Sequence, residues 1–272
     1  MESFSPKPFF NLFIRERDIV MAEKNSALIN VRGVNFNNTT LDGTVEALLA
    51  GVRDRKQTAL YTPNSEIVQA CIEDPSLYEV INSAELVIPD GIGVVKAAKI
   101  LKTPFGAGKI AGCEVGEAFL RRLAETDYTV FLLGGKPGVA EQAMQKLTEK
   151  YPGIKFAGSR DGYFKKEGEE NDAVIAQVNA SGADVLYVCL GAPAQEKWIY
   201  NNRAKLTTVG AMLGLGGSLD VYAGTVKRAP RIFINLGLEW FYRLICEPWR
   251  FKRMLKLPKF YFGTWVYKIT GK

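Results

Sequence analysis

The chain has no histidine, and this absence removes several kinds of active site at once. Histidine is the commonest general base and the commonest metal ligand, and Ser-His and Cys-His triads cannot be built without it. Any acid–base chemistry must therefore use aspartate, glutamate, lysine, tyrosine or cysteine.

Two further patterns are missing. No Asp-x-Asp motif occurs, although many enzymes use this motif to hold a divalent cation beside a phosphate, so we predict neither a metal nor another cofactor. The cysteines show no CxxC spacing that would indicate a zinc site or a disulfide framework. Because no secretory signal pattern is present either, we expect a cytoplasmic protein. The four cysteines are Cys71, Cys113, Cys189 and Cys246.

Charge and aromatic residues are concentrated at the C-terminal end. The 272 residues carry a net charge of +6, but residues 227–272 contribute +9 and residues 1–226 contribute −3. The same 46 residues hold eleven of the 30 aromatic side chains. This composition favours contact with an anionic membrane surface. The alternatives are a helical pair that packs on the body and a nucleic acid, and no nucleic-acid motif supports the latter.

Short apolar runs alternate with helical patterns between residues 27 and 226, which predicts an α/β domain with a mainly parallel, Rossmann-like sheet and helices on both faces. We expect an N-terminal extension at 1–26 and a helical appendage at 227–272. Within the appendage, Ile232–Ile245 has the pattern of an amphipathic helix, and Glu239 and Arg243 argue against a membrane span. The predicted strands are Leu28–Val34, Thr58–Tyr61, Glu85–Ile88, Thr129–Leu133, Asp184–Leu190 and Thr208–Leu213. The predicted helices are Thr40–Arg53, Ser65–Ile72, Gly91–Leu101, Val115–Ala124, Val139–Lys150, Asn171–Ala180 and Glu196–Ala204.

Loops rich in glycine, proline and small polar residues follow five of the predicted strands. In open parallel sheets, ligands bind outside the carboxyl ends of the strands, so these loops predict one binding site. They are Thr62–Asn64, Pro89–Gly91, Gly134–Gly138, Gly191–Glu196 and Gly214–Gly217.

Two of these loops suggest specific chemistry. Gly134 and Gly135 precede a predicted helix and could bring backbone N–H groups to a phosphate, although a plain tight turn explains them equally well. Asp90 precedes Gly91 at a predicted helix start, where it could cap the helix. In a chain without histidine, the same carboxylate is our candidate for the general base.

Several motifs in order carry a resemblance to a known family. They are TPNSEIV from Thr62, IPDGIGVV from Ile88, GAPAQEKW from Gly191, GGSLDVYAGTVKRAP from Gly216 and LEWFYRLICEPWRFKRM from Leu238. From about Val31 to the C-terminal end, the chain resembles the WecG/TagA/CpsF family of glycosyltransferases.

The resemblance implies an inverting, metal-independent transfer of N-acetylmannosamine, or a related sugar, from a UDP-sugar donor to N-acetylglucosamine on undecaprenyl diphosphate. It also implies the GT-E type of Rossmann-like fold, a C-terminal appendage that contacts the membrane, and a peripheral location on its inner face. Asp90 would be the general base. Thr62, Asn64 and Gln195 would position sugar or acceptor, with Glu196 and Gly191 in the same substrate-binding loop. Arg243, Arg250 and Arg253 would reach the donor diphosphate, although contact with lipid headgroups is an alternative role.

One position departs from the family pattern. The family usually has Arg-Val-Ala-Gly where this chain has Lys109-Ile-Ala-Gly112. Lysine keeps the positive charge but lacks the planar fork of arginine, so Lys109 is expected to bind substrate with an altered acceptor preference.

Alternatives remain open for the protein as a whole. The donor could carry a different sugar, such as glucose or a mannosaminuronic acid. The protein could instead be a nucleotide-binding membrane adaptor without turnover, and it could assemble as a homo-oligomer.

Overall fold

A computed structural model describes residues 28–227, 229–230, 232–233, 238–246, 248, 251 and 255–271 of the chain. Strands and helices alternate through most of this part, as predicted. The strands are β1 (Leu28–Val31), β2 (Val34–Asn37), β3 (Thr58–Tyr61), β4 (Leu86–Val87), β5 (Thr129–Gly134), β6 (Lys155–Arg160), β7 (Val185–Cys189) and β8 (Ala211–Gly214). The helices are α1 (Leu41–Arg53), α2 (Ser65–Glu73), α3 (Ser76–Asn82), α4 (Ile92–Ile100), α5 (Gly112–Leu123), α6 (Val139–Lys150), α7 (Glu169–Ala180), α8 (Ala194–Asn202), α9 (Ser218–Tyr222), α10 (Glu239–Cys246) and α11 (Lys256–Thr270).

The central sheet has six strands in the order β4-β3-β8-β7-β5-β6, and all of its neighbouring pairs are parallel. This confirms the predicted α/β class. All carboxyl ends of the six strands therefore lie at one edge of the sheet, where the loops that follow them can meet.

Helices cover both faces of this sheet. Alternate residues of each strand point into two separate cores, as the pleat of a strand requires. Leu132 packs with α1, α5, α6 and α9 on one face, whereas its neighbours Phe131 and Leu133 pack with α2, α4, α7 and α8 on the other. The predicted doubly covered sheet is thus confirmed.

The predicted strand Leu28–Val34 is right for residues 28–31, which form β1, and wrong beyond them, because the chain turns there into β2 and the two strands form an antiparallel hairpin. Arg32 and Gly33 have φ angles of 54° and 91°, the left-handed values that a two-residue hairpin turn needs at both positions. A side chain at Gly33 would also collide with the ring of Tyr78, which explains the glycine.

Several elements were not predicted individually from the sequence, among them β6, α3 and the five-residue helix α9. Strand β6 is an edge strand with partly exposed residues and no continuous apolar run, so it lacks the pattern of a buried strand. Helix α3 has only seven residues, which is shorter than the window in which helical periodicity is recognisable.

Helix α11 packs on the body of the protein, against α2 and α4. Phe260 and Thr264 on its inner face are fully buried. Lys256 and Lys259 form ion pairs with Glu73, at the end of α2, with N–O distances of 3.1 and 2.7 Å. None of the described helices is both long enough and apolar enough to cross a membrane. Helix α10 covers the second half of the predicted helix Ile232–Ile245, and residues 234–237 lie outside the described part.

Candidate active site

A cleft of about 1310 Å³ lies at the carboxyl edge of the sheet. Residues from all five strand-end loops line it, further residues of the body complete much of the wall, and α10 and α11 close part of one side. Of the predicted site residues, the cleft brings together Thr62, Asn64, Asp90, Lys109, Gly135, Gly191 and Gln195.

Thr62 lies at the floor of the cleft, directly after β3. Its hydroxyl donates a hydrogen bond to the carbonyl oxygen of Gly214 at 3.3 Å, so it links the ends of two neighbouring strands. A side chain at Gly112, the first residue of α5, would come within 2.9 Å of Thr62. The glycine therefore allows the start of α5 to approach this position closely.

Asn64 is the N-cap of α2. Its Oδ1 atom accepts hydrogen bonds from the backbone N–H groups of Glu66 and Ile67 at 2.9 and 3.1 Å. This arrangement helps to satisfy the backbone donors in the first turn of the helix. Because the oxygen is committed to the cap, a ligand in the cleft would meet the Nδ2 end of the amide.

Asp90 lies between β4 and α4 and lines the cleft. The N-cap position of α4 is Gly91, whose φ of 89° favours glycine, so Asp90 lies one residue before that position. The backbone N–H of Ile110 donates to the carbonyl of Pro89 at 3.0 Å, which ties the segment that carries Lys109 to the Asp90 loop.

The glycine loop after β5 is built differently from a phosphate-binding loop. A side chain at Gly134 would lie 2.2 Å from the carbonyl oxygen of Cys189, so this glycine serves the close approach of β7. The N–H of Gly135 donates to the same oxygen at 3.2 Å and is not available to a phosphate. Gly135 and Lys136 line the cleft, and the lysine supplies a cation there.

Gln195 and Glu196 are consecutive residues at the start of α8, and both side chains are 1% exposed. Gln195 lines the cleft, whereas Glu196 lies behind it and outside the cleft lining. The N–H of Gly216 donates to Oε1 of Gln195 at 2.8 Å, and Nε2 of Gln195 donates to Oε1 of Glu196 at 2.9 Å. Burial raises the pKa of Glu196 to about 7.

Lys109 forms an ion pair with Glu239 of α10, with an N–O distance of 3.2 Å. Both side chains are partly buried and both line the cleft. The position that departs from the family pattern therefore joins the body to the C-terminal appendage. The side chain of Arg243, together with Arg250 and Arg253, lies outside the described part, so their contact with a diphosphate stays a prediction.

Several cleft residues were not predicted from the sequence. Lys136 lies within one of the predicted binding loops, but only the glycines of that loop were considered. Tyr163 follows β6, so the rule that ligands bind after strand ends would have found it if that strand had been predicted. Tyr261 lies on α11 and lines the cleft only because this helix folds back on the body, which local sequence patterns do not show.

Among the described residues that line the cleft, positive and negative side chains are equal in number. The body contributes Lys96, Lys109 and Lys136, and an equal number of carboxylates in Glu66, Asp90 and Asp220. The C-terminal helices add Lys256 and Glu239. Within the described residues, no three Cys, Asp or Glu side chains are grouped closely enough to hold a metal ion.

The amino-acid sequence is similar to those of a known family and of two known relatives. The sequence model of the glycosyl transferase WecG/TagA/CpsF family matches residues 29–272, which include all the cleft loops and both C-terminal helices. An N-acetylglucosaminyldiphosphoundecaprenol N-acetyl-beta-D-mannosaminyltransferase of Bacillus subtilis strain 168 is 38% identical over 231 residues, 85% of this chain and 88% of the relative. A protein of the same name from Bacillus spizizenii is 36% identical with the same coverage. With its cleft loops and its C-terminal helices both inside this match, the chain belongs to the WecG/TagA/CpsF family of glycosyl transferases.

Proposed function

We propose that this enzyme transfers N-acetylmannosamine from UDP-N-acetylmannosamine to N-acetylglucosamine on undecaprenyl diphosphate, as a step in the synthesis of a teichoic acid-like surface polymer. The observation that carries the proposal is the convergence of five strand-end loops on one cleft that contains Asp90. The reaction named for two relatives, at 38% and 36% identity, supports the choice of sugar and acceptor.

The chemistry we propose is a single inverting displacement. The hydroxyl oxygen of the acceptor attacks the anomeric carbon of the donor sugar, the bond from that carbon to the diphosphate breaks, and UDP leaves with the bonding electrons. Asp90 takes the proton of the attacking hydroxyl. A carboxylate suits this role because it can accept a proton from a hydroxyl that lies within hydrogen-bond reach.

Thr62, Asn64 and Gln195 hold the sugar or the acceptor in the cleft. The negative charge that develops on UDP is stabilised by positively charged side chains rather than by a metal ion. Lys109 and Lys136 supply two of these cations, and Arg243, Arg250 and Arg253 supply the rest, since arginine binds phosphate in a bidentate manner.

The C-terminal helices bring the enzyme to the lipid-linked acceptor on the inner face of the cell membrane. The outer face of α11 exposes Phe262, Trp265 and Ile269, opposite the buried Phe260 and Thr264. These positions are three to four residues apart and therefore share one side of the helix. Such a surface with nearby lysines is suited to peripheral binding at an anionic bilayer.

The test is a UDP-release assay with purified enzyme, a panel of UDP-sugars and a polyprenyl-diphosphate-linked N-acetylglucosamine. We expect kcat/KM for UDP-N-acetylmannosamine to exceed that for UDP-glucose and for UDP-N-acetylmannosaminuronic acid. A preference for another donor would contradict the proposed sugar while leaving the fold of the site intact. UDP binding without turnover of any donor would favour the adaptor instead.

A further inference from the structure

Glu196 is a buried acid whose position the proposed reaction does not explain. Its Oε2 atom is buried and has no hydrogen-bond partner among the described residues. The hydroxyl of Tyr61 donates to the backbone carbonyl of Glu196 at 3.2 Å rather than to its carboxyl group. A buried carboxyl group with an unsatisfied oxygen costs stability, which suggests that the residue has a role.

The contacts of Gln195 connect Glu196 to the cleft. A backbone N–H can only donate, so the amide oxygen of Gln195 must face Gly216. The Oε1 atom of Glu196 accepts, so the amide nitrogen must face Glu196. Both contacts require the same orientation. Rotation of the amide by 180° would put oxygen against oxygen and N–H against N–H.

The nitrogen of this fixed amide lies at the floor of the cleft. A side chain at Gly214 would come within 3.2 Å of Nε2, and Thr62 donates to the carbonyl of the same glycine. An amide nitrogen has two N–H groups, and Glu196 uses only one of them. The second remains for a ligand in the cleft that Gln195 lines.

We propose that Glu196 is a positioning residue, which fixes the amide of Gln195 so that its second N–H donates to an oxygen of the sugar or the acceptor. This inference rests on the proposed role of Gln195 in the cleft. Glu196 itself lies outside the cleft lining and acts only through its neighbour.

A double-mutant cycle tests this coupling in the full-length enzyme, with kcat and KM measured by UDP release. We expect Gln195→Ala and Glu196→Leu each to lower kcat by about 10- to 100-fold, the usual effect of a misplaced contact. The double variant should be no worse than Gln195→Ala alone, because the second change removes a support that has nothing left to hold.

The conservative variant Glu196→Gln keeps an oxygen that can accept from Gln195. A glutamine at this position can also donate, so it no longer excludes the reversed orientation of the Gln195 amide. We therefore expect a smaller loss, at least about threefold in kcat but well below that of Glu196→Leu. This loss should also vanish when Gln195 is alanine. The Gln variant keeps the test available if the Leu variant does not fold.

Three results would contradict this proposal or the role of Gln195 on which it rests. If the losses multiply in the double variants, Glu196 acts independently of Gln195 and the positioning role is wrong. Normal turnover of either folded Glu196 variant would refute it as well. If instead Gln195→Ala has normal turnover, the proposed contact between Gln195 and substrate is wrong, and the positioning role of Glu196 has no basis.

Discussion

Asp90 is the residue on which the proposed chemistry depends most. If it accepts the proton of the attacking hydroxyl, Asp90→Asn should lower kcat by about 10²- to 10⁴-fold, the usual contribution of a general base. Donor binding and thermal stability should change little, because asparagine keeps the size and shape of the side chain. Asp42→Asn is a matched control, since Asp42 lies in the first turn of α1 and outside the cleft lining. Near-normal kcat of the Asp90 variant would refute the assignment.

The role of Lys109 can be tested by comparing substitutions of Lys109 and of its ion-pair partner Glu239. If Lys109 serves only to hold α10, Lys109→Met and Glu239→Gln should be equally harmful, because each breaks the same ion pair. If Lys109 also binds a phosphate, its removal costs a charge-assisted hydrogen bond of about 1.5–3 kcal/mol, or roughly 10- to 100-fold in kcat/KM. We predict the second outcome, with Glu239→Gln within about threefold of the wild type. Equal losses would leave Lys109 with a structural role.

The C-terminal elements combine two proposed tasks that separate variants can distinguish. Removing the whole appendage would uncover the core around Phe260, so point substitutions in the full chain are the better test. We expect a variant with Arg243, Arg250 and Arg253 all changed to glutamine to be folded yet nearly inactive, even on a water-soluble acceptor. The reason is that lysines and carboxylates of the body balance in the cleft, so few cations remain for a diphosphate.

The opposite pattern is expected for the exposed face of α11. Changing Phe262, Trp265 and Ile269 to serine should abolish binding to anionic liposomes while leaving turnover of the soluble acceptor within about threefold, since only exposed side chains change. Binding of the wild type should weaken at high salt, because salt screens the attraction between its lysines and the anionic lipids.

The two variants are compared on the same soluble acceptor. Full activity of the arginine variant on this acceptor would refute the donor-site role of Arg243, Arg250 and Arg253.

Elements were predictable where the local pattern and the final packing agree. Strand β3 is buried at every residue, and its predicted bounds Thr58–Tyr61 and the predicted start of the next helix at Ser65 are confirmed. The hairpin β1–β2 was missed because Arg32 adopts a left-handed conformation that is unusual for a residue with a side chain. Strand β6 was missed because an edge strand need not be apolar.

The residues of the site were predictable where their position after a strand determines their place in the fold, and were not predictable where that place depends on tertiary packing. Loops after parallel strands meet at one edge of the sheet, so Thr62, Asp90 and Gln195 could be placed together without coordinates. The burial of Glu196 could not be predicted, since it stands in a polar string at a helix start, where exposure depends on how α8 packs. The pairing of Lys109 with Glu239, 130 residues away, likewise depends on tertiary contact alone.

Catalysis by the whole molecule is predicted to need no metal. The chain has neither histidine nor an Asp-x-Asp motif, so phosphate charge must be met by lysine, arginine and N–H groups. Activity should therefore stay within about a factor of two after treatment with EDTA, far from the tenfold change that 1.36 kcal/mol would bring. Loss of activity that magnesium or manganese restores would contradict the proposed mechanism.

The stability of the whole molecule should also depend on Glu196. Burial raises the pKa of this carboxyl from its ordinary value of 4.5 to about 7, so the folded protein binds the proton more tightly than the unfolded chain does. The resulting stabilisation is fully present below pH 4.5 and is lost as pH rises through 7. The neighbouring titratable groups do not compensate, because burial raises the pKa of Cys71 to about 12 and that of Tyr61 above its usual value, and both stay uncharged.

We predict that the wild type loses on the order of 3 kcal/mol of unfolding free energy relative to Glu196→Gln between pH 5 and pH 8. The glutamine is neutral throughout this range and has no ionisation to resist. Urea unfolding of both proteins at several pH values measures the difference, in which the other carboxylates cancel because they titrate alike in both. A difference that grows with pH supports a buried acid that is forced to ionise. A constant difference would mean that Glu196 is already charged at pH 5, and that water or a cation reaches it in solution.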